Sequence, residues 1–422
     1  MLAKITTKQQ FIITATCIGS TLEWFEFALF GMMAPFLIGL FLPNVPWAAS
    51  ILYPALLILS IIARPIGGFV FGRMGDRKGR RFALLRTIAF MIVPLLITAL
   101  LPSYQQIGIT ALALLIFVFI LQGFSLGGEF PGSAVFLIES AKPHAKGYFG
   151  SWIYFGAFLG MFLAALEVFV LGNHVSEEAF VEWGWRFTFF LSAIIATFAL
   201  ILRRMLRETH FFEEAKEYGH LDKEPLFDTF HKYKKALLYG IGLTAMETAG
   251  FNLLILFSTP YYHTTLGLPF SDVTSIQLAT IFILVVATPF AGKASMHFGS
   301  KHLARWALYG LLVIAIPVYY LISFKQFWLI LAGQGIIAIL FAAYISNLPA
   351  LICSLFPVKV RYSGVATAMN LSVTIFASAG IIFITLFLKQ NTLPLWPSYY
   401  WIAAALLSLL SLSHVKEPHH ET

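Results

Sequence analysis

Glu26, Arg64 and Glu129 each interrupt a long apolar run. A charge at that depth costs several kcal/mol unless it is paired or hydrated. Glu23 and Glu26 are three residues apart and share a helix face, and Arg64 is a cationic partner for a nearby carboxylate. We therefore expect Glu26, Arg64 and Glu129 to form one cluster. Either one carboxylate exchanges a proton as its surroundings alternate between water and closure, or the cluster is a static ion-pair lock. Proton exchange near neutral pH would need partial desolvation offset by a nearby positive charge. In the second half of the chain Glu247 is the deep acid, with Asn252 five residues on. Either these two touch substrate or proton, or Glu247 is satisfied locally. Glu23, Trp24, Trp152, Asn347 and Asn370 complete the candidate binding residues, the two asparagines serving equally as interhelical hydrogen-bond partners. The aromatic stretch Tyr148, Trp152, Tyr154 and Phe155 suits either a quaternary ammonium or packing and lipid contact. Arg86 either meets a substrate carboxylate or snorkels to the interface.

Other chemistries find no residues to carry them. Cys17 and Cys353 are far apart in apolar runs, and no cysteine–histidine ligand spacing exists. Phosphate-cradling, nucleophile-elbow and HExxH patterns are absent from the sequence. We expect no metal, no cofactor and no enzymatic reaction, and ATP-driven transport would need a separate subunit.

The elements that must position these groups are apolar. The chain has 422 residues, 59% hydrophobic and 11% charged, against about a quarter charged in soluble domains. Lipid replaces the charged shell that such a core would need. A spanning helix takes about 20 apolar residues, and twelve runs qualify, at about 11–41, 48–73, 82–101, 107–140, 147–171, 183–204, 236–263, 272–297, 303–322, 326–355, 361–388 and 397–414. They are continuous rather than alternating, which argues against a membrane barrel. The first run is too long for a signal peptide and reads as a retained helix.

Lysine and arginine placement sets the orientation. Arg73, Arg77, Lys78, Arg80, Arg81, Lys142, Lys146, Lys293, Lys301, Lys359 and Arg361 all fall on one side. The other side holds segments without Lys or Arg (41–47 and 102–106) and the acidic Glu177, Glu178 and Glu182. The basic side is expected to be cytoplasmic, with both termini there. The net charge of +8 is read as this topology signal, not as nucleic-acid binding. A mixed-charge stretch at 205–235 divides the chain into residues 1–204 and 236–422, six runs each, and its spacing suggests a surface helix. Six plus six is the layout of transporters built from two related bundles.

Between runs 2 and 3 lies Gly72-Arg73-Met74-Gly75-Asp76-Arg77-Lys78-Gly79-Arg80-Arg81. Gly72 and Gly79 permit a tight turn, and Asp76 can meet cations or a helix N-terminus. We assign Gly72, Asp76, Arg77, Gly79, Arg80 and Arg81 to a gating loop. The pattern resembles the signature loop of the major facilitator superfamily. Gly292, Gly299 and Lys301 form a degraded copy, with Met296 where Asp76 would fall. Further stretches are Leu22–Phe27, Arg64-Pro65-Ile66-Gly67-Gly68, Gln122–Phe130, Trp183–Phe187, Leu206-Arg207-Glu208-Thr209 and Phe356–Gly364. Together they resemble the metabolite–proton symporter family, whose members carry proline, betaine, citrate, 2-oxoglutarate and shikimate. The chain departs from that family at His210, where proline is usual, and at Glu26, where aspartate is common.

The expected fold is thus all-α and integral to the membrane, twelve transmembrane helices in two six-helix bundles. The resemblance implies a proton-coupled symporter importing a small carboxylate-bearing metabolite by alternating access, a monomer in a bacterial inner membrane whose partners are substrate, protons and lipid. A facilitator or proton-antiport exporter on the same fold is the alternative. A membrane sensor or embedded enzyme would need a signalling domain or a catalytic set that the sequence does not display.

Overall fold

A computed structural model describes residues 5–42, 53–380 and 395–416. Among them every regular element is helical. The long helices are α1 (Thr7–Met32), α2 (Tyr53–Lys78), α3 (Arg80–Leu100), α4 (Ile109–Ser140), α5 (Lys146–His174) and α6 (Trp185–Arg204). Two short helices follow, α7 (His210–Glu217) and α8 (Pro225–His231). The second half contains α9 (Lys234–Phe251), α10 (Phe270–Phe298), α11 (Ser300–Ile322), α12 (Phe327–Ile345), α13 (Leu348–Cys353), α14 (Arg361–Ser372) and α15 (Trp396–Ser413).

Ten helical segments among the described residues are long and apolar enough to cross a bilayer. The expected run 361–388 begins as α14 and passes beyond residue 380, outside the described residues. The last run is α15. Burial is inverted relative to a soluble protein. Leu100, Phe290 and Val313 are about two-thirds or more exposed, while Glu23, Asp76, Arg80, Glu129, Glu139 and Arg203 are almost fully buried. Apolar side chains facing outward and polar ones inward are what a lipid solvent selects.

Several expected elements are redrawn. The first run is not one helix: α1 ends at Met32 and a second short helix covers Ala34–Phe41. Pro35 lies in the first turn of that helix, where its missing N–H costs nothing. The run 326–355 divides in the same way into α12 and α13, with Pro349 in the first turn of α13. The linker forms two helices, α7 and α8, rather than one. Beyond α9 the backbone widens into π-helical turns at Asn252–Phe257 and Tyr261–Thr265, and beyond α14 at Val373–Ala377. Such turns are rare and cluster at functional sites.

The gating motif is hardly a loop. α2 stays helical through Lys78, and one residue, Gly79, separates it from α3. Gly79 has φ +114° and Gly299, between α10 and α11, has φ +82°. This matching geometry at the two junctions accords with the repeated spacing in the sequence. Only glycine takes such angles freely. Gly79→Ala should lower the unfolding free energy by about 1–3 kcal/mol, whereas an alanine at Gly31, which lies inside α1 and whose Cβ would meet open space, should be neutral or stabilise by up to about 1 kcal/mol. Equal melting of the two variants in detergent would contradict this account.

Candidate functional site

The interior charges do not sort as the sequence suggests. Glu129, expected beside Arg64, is ion-paired with Arg203 near the end of α6, at 2.5 Å between Oε1 and Nη2. Arg203 Nη1 donates to Glu129 Oε2 at 2.8 Å. The Thr87 hydroxyl donates to the same oxygen at 2.5 Å and the Ser133 hydroxyl to Oε1 at 3.1 Å. The guanidinium lies against Gly19 of α1, where any side chain would displace it. This assembly ties α1, α3, α4 and α6 together and satisfies both carboxylate oxygens.

Arg64 belongs to a different group. Its electrostatic neighbours are Glu23 and Glu247, and its Nε has no hydrogen-bond partner. Glu26 is 1% exposed and neither of its oxygens has a partner. The expected cluster of Glu26, Arg64 and Glu129 is therefore divided. Glu23 stands between the parts, within electrostatic range of Glu129, Arg64, Arg203 and Glu26. The physical reason is rotational. Residues three apart on α1 diverge by about 60° around the helix axis, so Glu23 and Glu26 meet different neighbours.

Contacts between the two halves complete this second group. The Tyr154 hydroxyl of α5 donates to Glu247 Oε1 of α9 at 2.7 Å. The Trp24 ring packs against Phe251 with 4.9 Å between centroids, and within the first half Phe130 packs against Tyr154 at 5.3 Å. Trp24 Nε1 and Asn252 Nδ2 are buried with no hydrogen-bond partner. The structure thus brings Tyr154 onto Glu247, with Arg64 within electrostatic range of Glu23 and Glu247 and the Trp24 ring tilted against Phe251 across the halves. A guanidinium can bind a carboxylate in bidentate fashion. Carboxylates and aromatic faces attract an ammonium group. Tyr154 belongs to the aromatic stretch read from the sequence, but its bond to Glu247 was not visible there, and Phe251 escaped the reading because aromatic residues are abundant throughout.

Other candidates lie elsewhere. Trp152 lines an apolar groove between α1, α5 and α6, alongside Cys17, Thr21 and Phe155. Asn347 donates to Ala343 O at 2.8 Å and adjoins Gly147 at the start of α5. Asn370 donates to Gly127 O at 2.8 Å and Ala366 O at 2.7 Å, so its amide serves the seam between α14 and α4. Arg86 is exposed and sits over Phe82.

At the basic end the halves are shut. Asp76 accepts from the Tyr362 and Ser363 amides at 3.1 and 2.8 Å, the free N–H groups of an incoming helix. It also pairs with Arg80 at 3.2 Å. Gly72 makes room for the Ser363 backbone. Arg80 reaches Glu139 through Nε and Nη2, both at 3.1 Å, and Val358 O at 2.6 Å. Glu139 also pairs with Arg361 at 3.2 Å. Arg81 donates to Arg204 O at 2.6 Å, and Arg77 is exposed. The linker joins this network. Glu208 accepts the Arg80 and Arg81 amides at 3.0 and 3.1 Å, capping α3, and burial pushes its carboxyl above the usual range. The Thr209 hydroxyl donates to Glu139 at 2.7 Å. Glu139 and Arg203 went unnoticed in the sequence, where each looked like an ordinary charge at the end of an apolar run.

Two halves of apolar helices, shut at one end around a buried polar site, define a membrane transporter of small solutes. Comparison with known proteins agrees. Residues 12–220 match the family described as sugar (and other) transporter. The chain is 32% identical to the proline/betaine transporter of Salmonella typhimurium, over 96% of this chain and 83% of that one. It is 31% identical, with the same coverage, to the glycine betaine/proline/ectoine/pipecolic acid transporter OusA of Dickeya dadantii. Among solved structures, the proton:xylose symporter XylE bound to 6-bromo-6-deoxy-D-glucose superposes with TM-score 0.81 at 15% identity, covering 98% of this chain and 97% of that one. The chain belongs to the major facilitator superfamily, within its metabolite–proton symporter family. It is an integral membrane transporter, not an enzyme.

Proposed function

We propose that the protein is a proton-coupled symporter that imports a small zwitterion bearing a carboxylate, of the proline or betaine type, by alternating access. The observation that supports this reading is the buried Tyr154–Glu247 hydrogen bond between the halves, with Arg64 within electrostatic range of Glu23 and Glu247 and Trp24 packed on Phe251. A zwitterion matches both signs of charge there. The carboxylate would pair with Arg64, and the cationic centre would lie against Trp24 and the flanking carboxylates. The printed names of the relatives support that substrate class. Glu23 and Glu26, buried with unpartnered oxygens, are the proton carriers in this reading. Glu129, saturated by Arg203, Thr87 and Ser133, holds the first half together.

Residues 1–204 and 236–422 act as two bundles joined by 205–235. Positive residues place the closed, basic end in the cytoplasm, so the shut face is the inner gate. The protein works as a monomer in the plasma membrane.

The test is uptake into proteoliposomes under an inward proton gradient, with labelled proline, betaine and organic acids offered in turn. Gradient-dependent accumulation of proline or betaine, abolished by a protonophore, is expected. Downhill equilibration unaffected by the protonophore would instead mark a facilitator. Glu129→Gln should retain proton-driven uptake with the parent's pH dependence, and loss of coupling in that variant would restore Glu129 to the proton path.

A further inference from the structure

Beside the Asp76 contacts, the closed end contains an interlock made by one side chain. Tyr362, in the first turn of α14, is fully buried. Its ring enters a socket in the other half of the protein. A Cβ at Gly75 of α2, or at Gly132 of α4, would overlap Tyr362 itself, the ring in one case and the hydroxyl end in the other. Ala83 of α3 clusters with Tyr362 and Ala366, and Met74 of α2 packs against that cluster. At the bottom of the socket the phenol hydroxyl donates to Gly128 O at 2.9 Å.

The position of this socket matters as much as its fit. Gly128 precedes Glu129 in α4, and Tyr362 lies within electrostatic range of Glu129, Arg203, Asp76 and Arg80. The side chain thus spans from the Asp76–Arg80 network to the Glu129–Arg203 pair. At residue 362 Asp76 grips the backbone amide, which any residue but proline would offer there. The socket reads the side chain, and an aromatic ring with a terminal hydroxyl fills its length. Opening this end must draw the ring out of the socket and leave the Gly128 carbonyl without that donor. An unmade bond at a buried carbonyl carries a penalty, so socket fit contributes directly to the closed state.

We infer that Tyr362 is the positioning residue of this gate: its ring in the glycine socket of α2 and α4, bonded to Gly128, sets the balance between closed and open states of the basic end. The inference rests on the alternating-access reading and adds the side chain that tunes it.

Amide hydrogen exchange of the full-length protein in lipid nanodiscs tests it. The conservative variant Tyr362→Phe removes only the hydroxyl, and Gly132→Ala obstructs the socket while leaving Tyr362 intact. Both should speed exchange over residues 361–372 by roughly 3- to 10-fold, the change expected from one net hydrogen bond. Exchange over Ser300–Ile322, remote from the socket, should stay at the parent rate. In uptake assays both variants should raise the external KM more than they lower the maximal rate, because fewer molecules face outward.

Parent-like exchange at 361–372 in both variants would overturn the inference and leave alternating access standing. An equal rise across 361–372 and 300–322 would overturn it too, since the residue would then be merely structural. A parent whose 361–372 amides exchange as fast as an unfolded peptide would sink both this inference and the alternating-access reading, because no closed gate would exist.

Discussion

Arg203→Ala is expected to destabilise the protein by about 3–5 kcal/mol, the usual consequence of leaving one member of a buried ion pair uncompensated. Both side chains are almost fully buried, so water cannot replace the lost cation. Glu129 would have to take up a proton or remain charged against Thr87 and Ser133 alone. The loss should appear as a lower midpoint in thermal unfolding of the purified protein. Combining Arg203→Met with Glu129→Gln should recover much of it, because removing both charges also removes the desolvation cost. A single Arg203→Ala variant that melts with the parent would show that the pair is not formed in the membrane.

Arg64→Ala should act on function instead. If the guanidinium binds a substrate carboxylate through two charge-assisted bonds, its loss costs about 3 kcal/mol, or roughly a hundredfold in uptake kcat/KM. Arg64 Nε lacks a protein partner, so truncation breaks no bond at that atom and should lower the melting temperature far less than Arg203→Ala does. Arg64→Lys should recover only part of the activity, since an ammonium cannot reproduce the bidentate fork. Normal transport by the alanine variant would remove Arg64 from the binding site. Collapse of folding in both variants would make it a structural residue.

These two arginines show where a sequence stops being informative. Both sit in or beside apolar runs, and nothing local distinguishes them. Arg203 adjoins Arg204 and looks like a topology charge. Its partner is 74 residues away on another helix. Arg64 was assigned Glu129 because both are deep. Depth along the membrane normal can be read by counting residues, but rotation about each helix axis cannot. The surroundings of Trp152 and Asn347 were hidden for that same reason: depth does not say that one lines the groove between α1, α5 and α6 and the other adjoins Gly147.

The gating motif was far more legible. Gly79, Asp76 and Arg80 meet requirements set within one short stretch, whereas Gly72 answers to the Ser363 backbone across the interface. A left-handed φ at Gly79 and an i, i+4 pair between Asp76 and Arg80 are local requirements. What Asp76 and Arg80 grip across the interface, the α14 amides and Glu139, was not visible.

The sequence by itself determined what depends on solvent and on neighbours along the chain. Apolar length made spanning helices, charge bias made the orientation expectation, and glycine spacing marked the two junctions. Tertiary structure alone decided which buried charges pair. It also decided that Tyr362 finds a glycine socket and that Trp24 meets Phe251. Those choices depend on helix rotation and close approach between segments distant in sequence, and neither is encoded in any single run of residues.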